Sequence, residues 1–218
     1  MNILALIKSA GVRNFAKLLS ANVVAQVIGL IVYPILTRIY SPEDFGLLNL
    51  FLSIGNVLVV ISLADYYYAI VLPKNERDAV ALTHTSLFLL LITSAVVTLS
   101  ALFSTPISLL FESPSLAQYY WMMPLYVLAM GGWNILNYWY IRKKSFGRIS
   151  GYQISQSILS AGGKIGLGYM GILHAGMIYS VVIAPIISLI SSLFLSLRHT
   201  LTPLRHVDWK NTWQQAKI

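Results

Sequence analysis

At 218 residues, 57% hydrophobic and only 10% charged, the chain lacks the polar surface of a soluble domain, in which about a quarter of residues are charged. Its mean hydropathy of +0.72 points instead to an all-α integral membrane protein. The absence of cysteine excludes disulfides and thiolate metal sites, and the net charge of +8 suggests nucleic acid only until its distribution along the chain is considered.

A helix needs about 20 mainly apolar residues to cross a bilayer. Six stretches qualify: Phe15–Thr37, Phe45–Tyr67, Ala79–Phe103, Gln118–Tyr140, Ser150–Leu173 and Ala175–Leu197. The first twenty residues carry Lys8, Arg13 and Lys17 and run into the first span without a small-residue cleavage site, so no secretory signal peptide is expected. The first span carries Ala21, Ala25 and Gly29 at four-residue spacing, a stripe that permits close helix contact. Leu36–Leu50, LTRIYSPEDFGLLNL, then reads as a turn with a helix restarting after Ser41-Pro42. Proline suits the first helical turn, and Glu43 and Asp44 suit the positive end of the helix dipole.

Asp65 closes the second span, and Tyr66, Tyr67 and Tyr68 mark its interfacial end. After the third span, Pro106 and Pro114 break the chain, so no seventh span is expected there. The fourth span opens on Tyr119, Tyr120 and Trp121 and closes on Tyr138, Trp139 and Tyr140. Tyr120 to Tyr138 covers roughly 27 Å of helix, close to a hydrocarbon core. The fifth span holds Gly151, Gly162, Gly163, Gly166, Gly168 and Gly171, which predicts close packing or a cavity wall. Pro34, Pro124 and Pro185 fall inside spans one, four and six and invite kinks. Residues 1–198 thus form a six-span lobe, and 199–218 a tail in which Trp209 and Trp213 share a face suited to an interfacial helix.

Lysine and arginine placement sets the orientation. With the N-terminus in the cytoplasm, thirteen of the fifteen fall on the cytoplasmic side, Arg38 alone lies outside and Lys164 lies within a span. The positive charge then faces anionic lipid, and no nucleic-acid partner is implied. Both termini are expected in the cytoplasm.

No GxSxG, HExxH or P-loop pattern is present, and His84, His174, His199 and His206 show no metal-ligand spacing, so neither an enzyme nor a cofactor is expected. Lys164 is about fourteen residues into its span, where an ammonium costs several kcal/mol unless it reaches water or a partner. It reads as a cation lining a hydrophilic cavity and meeting an anionic substrate, or as a lysine snorkelling to the surface. Asp65 faces the same cavity or sits among headgroups. Arg38, the lone external cation, is a substrate contact or a snorkelling anchor. Arg142, Lys143 and Lys144 form a stop signal and lipid contact, or a phosphate site at the cytoplasmic mouth.

Tyr33 to Ala79 resembles the start of bacterial polysaccharide biosynthesis flippases, including the O-antigen type, of the multidrug/oligosaccharidyl-lipid/polysaccharide exporter superfamily. The matching features are Arg38 after the first span, the Pro42-Glu43-Asp44-Phe45-Gly46 turn, an apolar second span and the basic Lys74–Arg77 loop. The resemblance implies an inner-membrane protein moving an undecaprenyl-diphosphate-linked oligosaccharide outward by alternating access. It also implies one lobe of a transporter of 12 to 14 helices, and hence a second six-helix half or polysaccharide-assembly proteins as partners. The alternatives are a cation-coupled antiporter of the same superfamily, for which only Asp65 is an available acid, a non-transporting subunit or remnant, and a membrane enzyme of polysaccharide assembly.

Overall fold

The computed structural model describes residues 10–196 and Leu204. Among the described residues the chain is helical, with no strand. Six long helices dominate: α1 (Ala10–Ile39), α2 (Pro42–Leu63), α3 (Glu76–Ser100), α4 (Met123–Arg142), α5 (Phe146–Tyr169) and α6 (Leu173–Ser196). Among the described residues four segments are long and apolar enough to cross a membrane: Leu18–Ile39, Pro42–Leu63, Glu76–Leu110 and Ala175–Ser196. The last two of these include α3 with its continuation and most of α6. The tail predicted over 199–218 lies outside the described residues except for Leu204.

The predicted helix restart is present. Ser41 caps α2 through a reciprocal box: its hydroxyl accepts from the Asp44 N–H at 3.3 Å, and Asp44 Oδ2 accepts from the Ser41 N–H at 2.8 Å. Pro42 occupies the first turn, where no intrahelical donor is lost.

Several expected boundaries move. α2 stops at Leu63 because Ala64 and Asp65 adopt left-handed backbone, φ 41° and 60°. Tyr66–Val71 is therefore a separate 3-10 turn rather than the end of a span. A 3-10 turn at Tyr120–Met122 delays α4 to Met123, so Pro124 sits in its first turn and kinks nothing, whereas Pro34 and Pro185 do lie inside helices. α5 ends at Tyr169 because Gly171, φ 79°, makes a Schellman turn: Ile172 N–H donates to Leu167 O and Gly171 N–H to Gly168 O, both at 3.0 Å. The segment Ser104–Leu110 continues α3 after a single 3-10 turn and forms no seventh long helix.

α2, α3, α4 and α6 share the main apolar core, in which Phe51, Leu63, Leu90, Val127, Trp139, Tyr140 and Ile178 are buried. α5 packs between α6 and α1. A smaller cluster of Leu36, Tyr40, Leu48 and Met177 joins the α1–α2 corner to α6. The Tyr40 side chain enters between α5 and α6 and donates to the Lys164 carbonyl at 2.6 Å. It fits because Gly168 and Gly176 lack side chains: a Cβ on either would lie 2.9 Å from the Tyr40 hydroxyl. Burial, with the Asp44 carboxylate adding to it, raises the Tyr40 pKa above the usual tyrosine value, so the hydroxyl stays a donor.

The glycine-rich character of α5 therefore divides in two. Gly163 and Gly168 permit close approach, while an added methyl at Gly151, Gly162 or Gly166 meets open space. We expect Gly168→Ala to destabilise the folded protein by about 1–3 kcal/mol through overpacking against Ile39 and Tyr40. Gly162→Ala should be neutral or stabilising by up to about 1 kcal/mol. Unfolding midpoints in detergent check both.

Candidate functional site

On α5, Gln153, Gln156, Ser157, Ser160 and Lys164 recur at helical spacing and occupy one face. The last four of them line a cleft of about 420 Å³ bounded by α1, α2 and α5. Ala25 and Gly29 of α1 form part of the opposite wall, and no atom lies within 4 Å of a Cβ built on Gly29, so the small residues leave space there. Leu36, Leu48 and buried Met177 supply apolar lining, and Asn49 adds an amide from α2. The rings of Tyr33 and Phe45, 5.7 Å apart, also border the cleft.

Among the described residues Lys164 is the one charged residue in this lining, and no carboxylate accompanies it. Among the described residues its ammonium makes no ion pair. An ammonium so deep in a helical bundle needs water or an anion, and the surrounding amides and hydroxyls can hydrate either. The arrangement offers neutral hydrogen bonding along about two turns of helix and one fixed positive charge at the end near the α1–α2 corner.

The other predicted positions are elsewhere. Arg38 is exposed in the last turn of α1, at the same end of the molecule as Lys164 but outside the cleft lining. Asp65 lies just past the far end of α2, a 22-residue helix whose length is about 33 Å. It lines a different cavity, with Tyr66, Ala69, Leu72, Pro73 and Leu82, and does not face Lys164. Arg142, Lys143 and Lys144 end α4 and precede α5, twenty or more residues before Lys164. The Arg142 guanidinium donates to the backbone carbonyls of Ile70, Pro73 and Asn75, Lys143 pairs with Glu76, and Lys144 is an exposed helix-ending residue with φ 54°.

His84 Nε2 lies 3.1 Å from the Leu204 carbonyl. The His174 side chain, His199 and His206 lie outside what is described. Among the described residues no three His, Cys, Asp or Glu side chains are grouped to hold a metal ion.

Sequence reasoning reached Lys164 from its depth but missed Asn49, Gln156, Ser157 and Ser160. The signal was present as polar residues at i, i+3, i+4 and i+7 preceding the lysine, on a helix that is also rich in glycine.

A family model described as polysaccharide biosynthesis protein matches residues 35–213. No curated protein and no solved structure matches the chain.

The chain contains no cysteine, so single introduced thiols report local water cleanly. Ser160→Cys should react with a water-soluble maleimide at least about tenfold faster than Leu30→Cys, because a thiol in hydrocarbon does not ionise. Leu30 is 75% exposed on the outer side of α1. Equal rates would mean that the cleft is dry.

Proposed function

We propose that this chain, which belongs to the polysaccharide biosynthesis protein family, carries out flippase-type export of an undecaprenyl-diphosphate-linked oligosaccharide and performs no covalent chemistry. The observation that carries the reading is the composition of the α5 cleft: one lysine, flanked by amides and hydroxyls, without a carboxylate. A diphosphate seeks a cation, and sugar hydroxyls seek neutral donors and acceptors; both are supplied along one helix face.

The same composition argues against the cation-coupled antiporter, which needs an acid in the transport cleft. Asp65 borders a separate cavity instead. A polysaccharide-assembly enzyme needs clustered catalytic groups. In the segment between α3 and α4 the only acid is Glu112, at a tight turn with φ 52°.

In this reading all six long helices cross the bacterial inner membrane, with the arginine- and lysine-rich end toward the cytoplasm. α4 and α5 are less apolar because they carry interior polar groups: Asn134 and Asn137 on α4, and the cleft-lining stripe on α5. Asn49, Ser53 and Asn56 leave a polar face on α2 exposed, which a second helical bundle would face across the substrate path.

Replacing Lys164 by Ala in the intact exporter should reduce glycan export at least about tenfold, the scale of one lost charge-assisted contact. Lys164→Arg should retain part of the activity. Surface glycan measured at equal protein level checks this, and wild-type export by Lys164→Ala would remove the lysine from the substrate path.

A further inference from the structure

We infer that the polar cleft between the 66–75 loop and the end of α4 is a binding site for a phosphate-bearing anion, either a phospholipid headgroup or a free phosphate ester. This cleft, about 490 Å³, is lined by Val71, Lys74, Glu76, Ile141, Arg142 and Lys143. Three cations face one carboxylate there, so an anion entering it meets a net positive field.

The cations are positioned before any ligand arrives. The Arg142 guanidinium is held by the Pro73 carbonyl at 2.7 Å and by the Ile70 and Asn75 carbonyls at 3.2 Å. A guanidinium has five donors, so two remain. Lys143 Nζ pairs with Glu76 and stands 5.2 Å from the centre of the Trp139 ring. Glu76 is 51% exposed, and an ion pair this open to solvent contributes little. Lys143 can therefore exchange it for phosphate at small cost. Lys74 is exposed on the loop across from them.

The surroundings suit a lipid surface. Leu72, 77% exposed, and Tyr68, 47% exposed, project from the same loop. Tyr68 stacks edge-on against Tyr138, centroids 4.9 Å apart, placing aromatic rings at the end of α4 as expected at a membrane interface. A phosphate held here would bridge Lys74 on the loop to Arg142 and Lys143 on α4, and so tie the α2–α3 connection to the rest of the bundle. The site is distinct from the α5 cleft and does not depend on the export reading. Lys164 is eighteen residues along α5 from Phe146, or about 27 Å.

The experiment is thermal unfolding of the full chain in neutral detergent with added phosphatidylglycerol, phosphatidylcholine or glycerol phosphate. Phosphatidylglycerol should raise the midpoint by about 3 °C or more, and phosphatidylcholine should not. The Lys74→Gln/Lys143→Gln variant should lose the shift, while Arg38→Gln and Lys164→Ala should keep it. An equal shift with glycerol phosphate assigns the site to free phosphate esters; a shift with the lipid alone assigns it to the headgroup. No shift with either phosphate compound, an equal shift with phosphatidylcholine, or an undiminished shift in the double variant would overturn the proposal.

Discussion

The hydrogen bond from the Tyr40 hydroxyl to the Lys164 carbonyl, 2.6 Å long, joins the corner between α1 and α2 to the C-terminal part of α5. The bond depends on three features separated widely in the chain. The Ser41–Asp44 capping box sets where α2 begins and hence where Tyr40 stands. Gly168 and Gly176 leave the gap that the phenol fills. The paired carbonyl belongs to the residue whose ammonium lines the cleft, so the same contact that docks the corner also fixes the height of the charge.

In the proposed reading, in which α5 crosses the membrane, that height matters because a bilayer interior penalises an ammonium without partners. The polar stripe on α5 and Asn49 on α2 offset the penalty by allowing water or ligand to reach the lysine, while Ala25 and Gly29 leave space in an α1 wall otherwise made by Ile28, Val32, Tyr33 and Leu36. The cleft-bordering face thus departs from the apolar pattern of a lipid-facing helix, and that departure is what marks it as a site. At the other end of the bundle, charges serve differently. Arg142 satisfies carbonyls of a turn that no helix would satisfy, and Arg148 donates to the Ser196 hydroxyl at 2.8 Å, linking α5 to α6.

Much of the helical framework was legible in the sequence because long apolar runs and the Ser41-Pro42-Glu43-Asp44 start signal have local causes. The end of α2 was not, because Ala64 and Asp65 take left-handed backbone without the glycine that usually announces it. Pro124 read as a kink because its register relative to the helix start is set by the preceding 3-10 turn. For the site, depth in the span was enough to single out Lys164. Asp65 could not be excluded from its neighbourhood until the length of α2 separated the two. The role of Arg142 was invisible, since its partners lie 67 to 72 residues away in sequence, and basic residues at a span end look alike whether they hold lipid or backbone.

The central claim is that a lipid-linked glycan occupies the cleft beside Lys164. It is tested most directly by placing a photo-crosslinking residue at position 160 in cells making the glycan and identifying the adduct by mass spectrometry. The account predicts a lipid-linked oligosaccharide adduct at position 160 and none at position 30 on the outer face of α1. Adducts of bulk phospholipid alone at position 160, or equal glycan adducts at both positions, would contradict it.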